Sequence, residues 1–137
     1  MRTEPNGMTG LDTNILVRFY AQDDPEQCKR GDEFLQTLTP ESPGYVSLVS
    51  LIELVWVLRS KYRLNKPELI MLLEQLLDSP ELMVENHAAV SHALRRFSQC
   101  KADFADCLIE RSAAAAGCGE TVTFDEDAAR FAGMKLL

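Results

Sequence analysis

The stretch MTGLDTNILVRFYA, residues 8–21, decides the fold. Met8–Leu11 reads as a short strand. It runs directly into Asp12-Thr13-Asn14, three of the residue types preferred at helix N-caps. Ile15–Ala21 then continues as a helix. A strand that passes straight into a capped helix is the opening of an α/β unit.

Working outward, the same alternation recurs. Asp23-Asp24-Pro25 opens a second helix, with a capping acid and a proline in the first turn. It carries Cys28, Phe34, Leu35 and Leu38 inward and stops before Pro40. Pro43-Gly44 is a break and Tyr45–Ser47 a strand. A long apolar helix follows, starting at Ser47 or Ser50 and reaching Tyr62. Lys66-Pro67 starts the next, with Leu69, Leu72, Leu73, Leu76 and Leu77 at helical spacing. Leu82–Val84 is a strand. His87–Gln99 is an amphipathic helix with Val90, Ala93, Leu94 and Phe97 inward. Asp103–Ala116 is helical and ended by Gly117. Thr121–Phe124 is a strand, Glu126–Phe131 a short helix, and Met134–Leu136 a last strand. The pattern predicts an α/β fold with a parallel sheet covered by helices.

The 137 residues suit one domain over 8–137, with residues 1–7 as a polar extension outside the fold. Apolar residues at 46% and charged residues at 26% are ordinary for a soluble protein. No run reaches the about 20 apolar residues a membrane span needs, and the N-terminus lacks the apolar run of a signal peptide. Cys28, Cys100, Cys107 and Cys118 form no C-x-x-C pair and lack a finger-like histidine. They read as reduced small hydrophobes, which suggests the cytoplasm. The net charge of −7 argues against nucleic acid as a partner unless acids converge on divalent cations.

Four segments place an acid beside an apolar element. Asp12 follows the first strand, where a ligand crevice of an α/β sheet lies. Its bland reading is a helix cap, which is compatible with a ligand role because helix N-termini favour negative charge. Glu53 is the only polar residue in Leu51–Leu58, where a buried carboxylate is costly unless paired. A start at Ser50 would make it part of a capping box; a start at Ser47 would place it inside the helix. Asp103 and Asp106 are three apart and share a helical face. Asp103 reads as cap, ligand or both, and Asp106 as facing the sheet edge. Asp125 directly follows a strand and reads as a site residue, whereas Asp127 reads as part of a solvated helix start. All-oxygen ligation selects Mg²⁺ or Mn²⁺.

Together LDTNILVRFYAQDDPEQ (11–27), VSLVSLIELVWVLRSKY (46–62), ADFADCLIE (102–110) and TFDEDAARFAGMKLL (123–137) resemble the PIN domain, and more closely the VapC-type toxin nucleases of toxin–antitoxin pairs. The resemblance implies a three-layer α/β/α fold with a central parallel sheet of four to five strands. It makes Asp12, Glu53 and Asp106 metal-binding acids, Asp125 a fourth and more variable one, and Asp103 a frequent extra. Thr13, Asn14 and Thr123 fall on polar positions that line or support the site. It further implies cleavage of single-stranded RNA by metal-activated water, a homodimer, and a VapB-like antitoxin that occupies a groove or the active site.

RNA contact needs positive surface. Arg18, Arg59, Lys61, Arg63, Arg95, Arg96 and Lys101 are the candidates, with Arg18, one turn past Asn14, the first to test. A solvated helix face is the default for most of the others. Trp56, Leu58 and Tyr62 exceed what one buried helix face needs, so they read as core or as an association surface. His87 and His92 do not share a face, and no histidine is required as a base. The rival readings are a receiver-type phosphoacceptor, a catalytically inert partner-binding domain, and a housekeeping RNA-processing nuclease. The receiver would need paired acids after the first strand and a late lysine, which are absent here.

Overall fold

The computed structural model describes residues 7–21 and 24–137, so residues 1–6 of the extension and Asp23 lie outside the described residues. Contacts divide the chain into two units, one ending at Glu85 and the other beginning at Asn86.

In the first unit, β1 (Thr9–Gly10), β2 (Gly44–Val46) and β3 (Leu82–Val84) pair in that order, all parallel. Gly10 lies opposite Tyr45 and Val46 opposite Val84. The Leu11 N–H donates to the Tyr45 carbonyl at 2.9 Å, which extends the pairing to the residue before Asp12. Parallel neighbours need crossovers, and helices supply them. α1 (Thr13–Tyr20) and α2 (Pro25–Leu35) join β1 to β2, and α3 (Leu48–Ser60) and α4 (Lys66–Asp78) join β2 to β3.

The sequence places each helix start through its caps. Asp24 accepts from the Gln27 N–H ahead of Pro25. Asn65 and Glu68 form a reciprocal capping box ahead of Pro67. Ser47 accepts from the Ser50 N–H, so α3 begins at the earlier of its two possible starts. Val46, Leu51, Leu54, Leu58, Leu69, Leu73 and Leu76 are at most 1% exposed and form the core of this unit. Each such side chain contributes about 1.5–3 kcal/mol by leaving water. Leu38 is buried too, but it lies past the end of α2, and Phe34 is exposed rather than inward. A tighter turn sets the direction of Leu38. The N–H groups of Thr37 and Leu38 bond to the carbonyls of Phe34 and Leu35, three residues back, so Leu38 leaves the helical phase, whereas Phe34 lies inside α2, off the face that Cys28 and Gly31 bury.

Gly44 is set by close approach. A methyl group there would stand 2.7 Å from Leu11 Cδ1 and 2.9 Å from Leu38 Cδ1.

The second unit contains α5 (His87–Gln99), α6 (Phe104–Ala115), β4 (Val122–Thr123), α7 (Glu126–Phe131) and β5 (Lys135–Leu136). Asn86 begins it in the left-handed region at φ +52°, a conformation asparagine tolerates better than most residues. α5 and α6 pack through Val90, Ala93, Leu94, Phe97, Phe104 and Cys107, all buried. Phe97 and Phe104 meet edge to face with centroids 5.8 Å apart. β4 and β5 are parallel, with Val122 opposite Lys135. All strands among the described residues therefore pair in parallel, in one ladder of three and one of two. Cys28 and Cys107 are buried, in keeping with their reading as small hydrophobes, while Cys118 is exposed. No helix among the described residues is long and apolar enough to cross a membrane.

Candidate functional site

The acids singled out in the sequence fall into two groups, one in each unit. In the first unit, Asp12 stands just beyond β1 and caps α1, its Oδ1 accepting from the Thr13 N–H at 2.9 Å. The Thr13 side chain is buried, and its hydroxyl donates to Glu53 Oε1 at 2.7 Å. That bond spans 40 residues of sequence and ties α3 to the first turn of α1. Ser47 Oγ donates to Ser50 Oγ, and Ser50 Oγ donates to the Leu11 carbonyl at 3.4 Å, a second tie between the same elements. Asp12 Oδ2 and Glu53 Oε2 make no hydrogen bond among the described residues. Asn14 is exposed on the same first turn.

Glu53 lies within α3, which removes the capping-box explanation. The expected burial of its carboxylate is also corrected, because the residue is exposed. An apolar run on both sides of an acid does not by itself cover that acid. Val49 and Trp56 on the same helix are exposed as well.

In the second unit, Asp103 occupies the N-cap position of α6, but its side chain makes no capping hydrogen bond. Asp106 sits in the first turn of that helix. Its carboxyl is held above the usual carboxylate range by burial first, then by the negative charges of Asp103 and Asp125. Asp125 caps α7 through Oδ1, accepting from the N–H groups of Asp127 and Ala128 at 2.8 and 3.0 Å. Its own N–H donates to Thr123 Oγ1 at 3.0 Å, so Thr123 fixes the turn that presents Asp125. Asp125 is therefore a true cap that keeps a second carboxylate oxygen without a hydrogen bond among the described residues. Asp127 is exposed in the first turn of α7, as its solvated reading requires.

Arg18 lies in the last turn of α1 and is half-buried, and a methyl group added at Gly31 of α2 would stand 3.9 Å from its Cβ. It is six residues along the helix from the Asp12 cap, about 9 Å of rise.

One acid escapes sequence reasoning. Glu85 directly follows β3, so like Asp12 it lies at the carboxyl end of the parallel strands, on the opposite edge strand. Its carboxylate accepts from the Leu48 N–H at 2.9 Å and so caps α3, while its own N–H donates to the Val46 carbonyl. The signal was its place one residue after a strand. It is engaged in capping, unlike Glu53.

The donor set is all carboxylate and hydroxyl, which suits a hard divalent cation. Within neither unit do three acidic, histidine or cysteine side chains among the described residues gather at metal-holding spacing. Each unit instead offers carboxylate oxygens that make no hydrogen bond among the described residues, and Mg²⁺ takes few carboxylates while keeping several waters.

Parallel strands leading into capped helices, with acids at those caps, define the class: the chain belongs to the PIN domain family, which matches residues 11–134. The matched span includes every acid named above, and the family's three-layer α/β/α fold accounts for the parallel strands and the helices of both units. The chain is also similar to a VapC ribonuclease of Aquifex aeolicus (strain VF5). The two are 26% identical over 115 residues, 83% of this chain and 84% of the relative. Family membership removes the receiver-type alternative.

Proposed function

We propose that the chain is a Mg²⁺- or Mn²⁺-dependent endoribonuclease cutting single-stranded RNA, and the toxin of a toxin–antitoxin pair. One observation carries the reading: the buried Thr13 hydroxyl holds Glu53 of α3 against the first turn after Asp12, within a PIN domain. The likeness to a VapC ribonuclease supports the choice of RNA.

In this reading Asp12, Glu53, Asp106 and Asp125 supply the metal ligands, with Asp103 as an added acid. A bound divalent cation would stabilise charge on the phosphoryl oxygens and lower the pKa of a water. Thr13 orients Glu53 by donating to Oε1, so that Oε2 faces a ligand. Asp12 and Asp125 are pinned by backbone N–H groups through one oxygen, which leaves the other for binding. Asp103 and Asp125 concentrate negative charge on Asp106, which favours a cation beside it. Thr123 and Asn14 support these positions.

The partner reading rests on the first unit. An open cavity of about 700 Å³ there is lined by Leu16, Tyr20, Leu35, Leu38 and Leu82, with Asp32 and Glu81 at its wall. Apolar and acidic surface of this kind fits an apolar, basic segment of a VapB-like antitoxin. On α3, the row of exposed Val49, half-buried Ile52 and exposed Trp56 supports a homodimer.

The test is cleavage of a labelled single-stranded RNA by the purified chain with Mg²⁺, with EDTA, and with Asp12→Asn. Cleavage that needs the metal and Asp12 is the expected result. Equal cleavage in all three would end the reading.

A further inference from the structure

We propose that the second unit carries a nucleotide pocket in which Arg95 and Arg96 hold a phosphate of single-stranded RNA and Phe131 lies against a base. The choice of RNA rests on the ribonuclease reading. The pocket rests on its own geometry.

A cavity of about 400 Å³ is lined by His92, Arg95, Arg96, Gln99, Arg111 and Phe131, with Cys100 at its edge. The first four come from one face of α5, at spacings of three and four. No carboxylate lines it. The chain as a whole has 21 acids against 14 lysines and arginines, so three arginines in one pocket run against its charge.

The three guanidinium groups are not equivalent. Arg111 is already engaged, since its Nε and Nη2 grip the two carboxylate oxygens of Glu110 at 2.6 and 2.9 Å. Arg95 and Arg96 have no ion pair with a carboxylate among the described residues. Arg95 is exposed and Arg96 half-buried.

Arg96 is also placed in advance. Gly133, at φ +82°, leaves the space its guanidinium fills, and a methyl group there would stand 2.5 Å from Arg96 Nη1. A group held in position loses less freedom when it binds.

Planar guanidinium forks match phosphate and carboxylate alike. The remaining lining favours a nucleotide. Phe131 offers an aromatic surface, with Arg130 Cζ 5.5 Å from its ring centroid, and the Gln99 amide can both donate and accept toward a base edge. Cationic groups beside an aromatic ring are how single-stranded nucleic acid is commonly held. The volume lies within the range of small-ligand sites, about 300–1,000 Å³.

The experiment uses the full chain in EDTA, so that RNA is bound without being cut. Affinity for a fluorescent single-stranded RNA decamer is read by anisotropy for wild type, Arg95→Gln and Arg95→Gln/Arg96→Gln, with circular dichroism confirming folding. The double variant is expected to bind about tenfold or more weakly. The slope of log affinity against log salt should flatten by about 0.7 for each phosphate that the variant no longer neutralises. The exposed single change Arg95→Gln should move both readouts the same way by less. Unchanged affinity in the folded double variant overturns the proposal. So does oligoglutamate displacing RNA at equal concentration, which would mark a surface for an acidic protein segment. Metal-dependent cleavage is measured separately. Cleavage with no effect of the arginines sinks the pocket alone. Arginine-dependent binding with no cleavage at any metal concentration sinks the ribonuclease reading alone.

Discussion

The two units arrange their acids by opposite means. In the first, neutral donors do the placing: a threonine hydroxyl grips Glu53, a backbone N–H grips Asp12, and two serines stitch α3 to the end of β1. In the second, Asp103 is left without a capping bond, and burial first, then the charges of Asp103 and Asp125, raise the proton affinity of Asp106. One group is oriented by hydrogen bonds, whereas the other is partly buried and crowded with like charge. The difference teaches that carboxylates can be arranged both by fixing their directions and by concentrating their charge. The two preparations should fail differently.

The largest expected effect tests whether both groups serve one reaction. Asp12→Asn and Asp106→Asn should each lower RNA cleavage by about 10²–10³-fold or more at saturating Mg²⁺, in a single-turnover assay. A loss confined to one of them would break the pairing of the two groups.

Next in size is the orienting role of Thr13. Thr13→Val keeps the shape and removes the donor. It should cost about 10–100-fold in activity at low metal, as loss of a ligand's supporting hydrogen bond does. Raising Mg²⁺ should recover much of that loss, visible as a shift of the half-saturating metal concentration. A fall in rate that no metal concentration relieves would mean Thr13 is only structural.

Asp125 stands between the two modes, since it is both cap and charge. Asp125→Ala should destabilise the fold by about 1 kcal/mol in urea titration, the usual cost of a lost cap. Asp125→Asn keeps the cap and should cost far less while still impairing cleavage. Equal destabilisation by the two would show that the charge, not the cap, holds α7.

The smallest effect carries a distinctive sign. Asp106 binds its proton more tightly folded than unfolded, so folding takes up protons in the interval between its ordinary and its raised pKa. Stability from this residue is therefore greatest at low pH and falls as pH rises through that interval. In EDTA at pH 7, Asp106→Asn should raise the Tm slightly, and the gain should vanish under acidic conditions. A lower Tm for Asp106→Asn at pH 7 would contradict the raised proton affinity of the folded carboxyl.

Much of this was legible in the sequence. The spans Leu82–Val84, His87–Gln99 and Glu126–Phe131 coincide with observed elements. Their boundaries are marked by caps and by changes of hydrophobic period, which are local signals. Asp12, Asp106 and Asp125 were findable because each sits at a helix start beside a strand or a cap. What stayed hidden depends on partners distant in the chain. α3 is apolar on nearly every side, so periodicity could not say which face is covered, and Glu53 read as buried when it is exposed. Phe34 lies inside α2 but off the face that Cys28 and Gly31 bury. Glu85 went unread because its capping bond reaches Leu48, 37 residues back in the chain. The division of the strands into ladders of three and two depends on pairing register, which no single strand of two or three residues encodes.

The crowding around Gly44 gives the molecule an unexpected point of leverage. A methyl group at that position would press on Leu11, whose neighbour in the chain is Asp12. Random mutagenesis that selects for loss of activity should therefore recover substitutions at residue 44 among those at the acids, although glycine has no chemistry to contribute. Its contribution is the room it leaves.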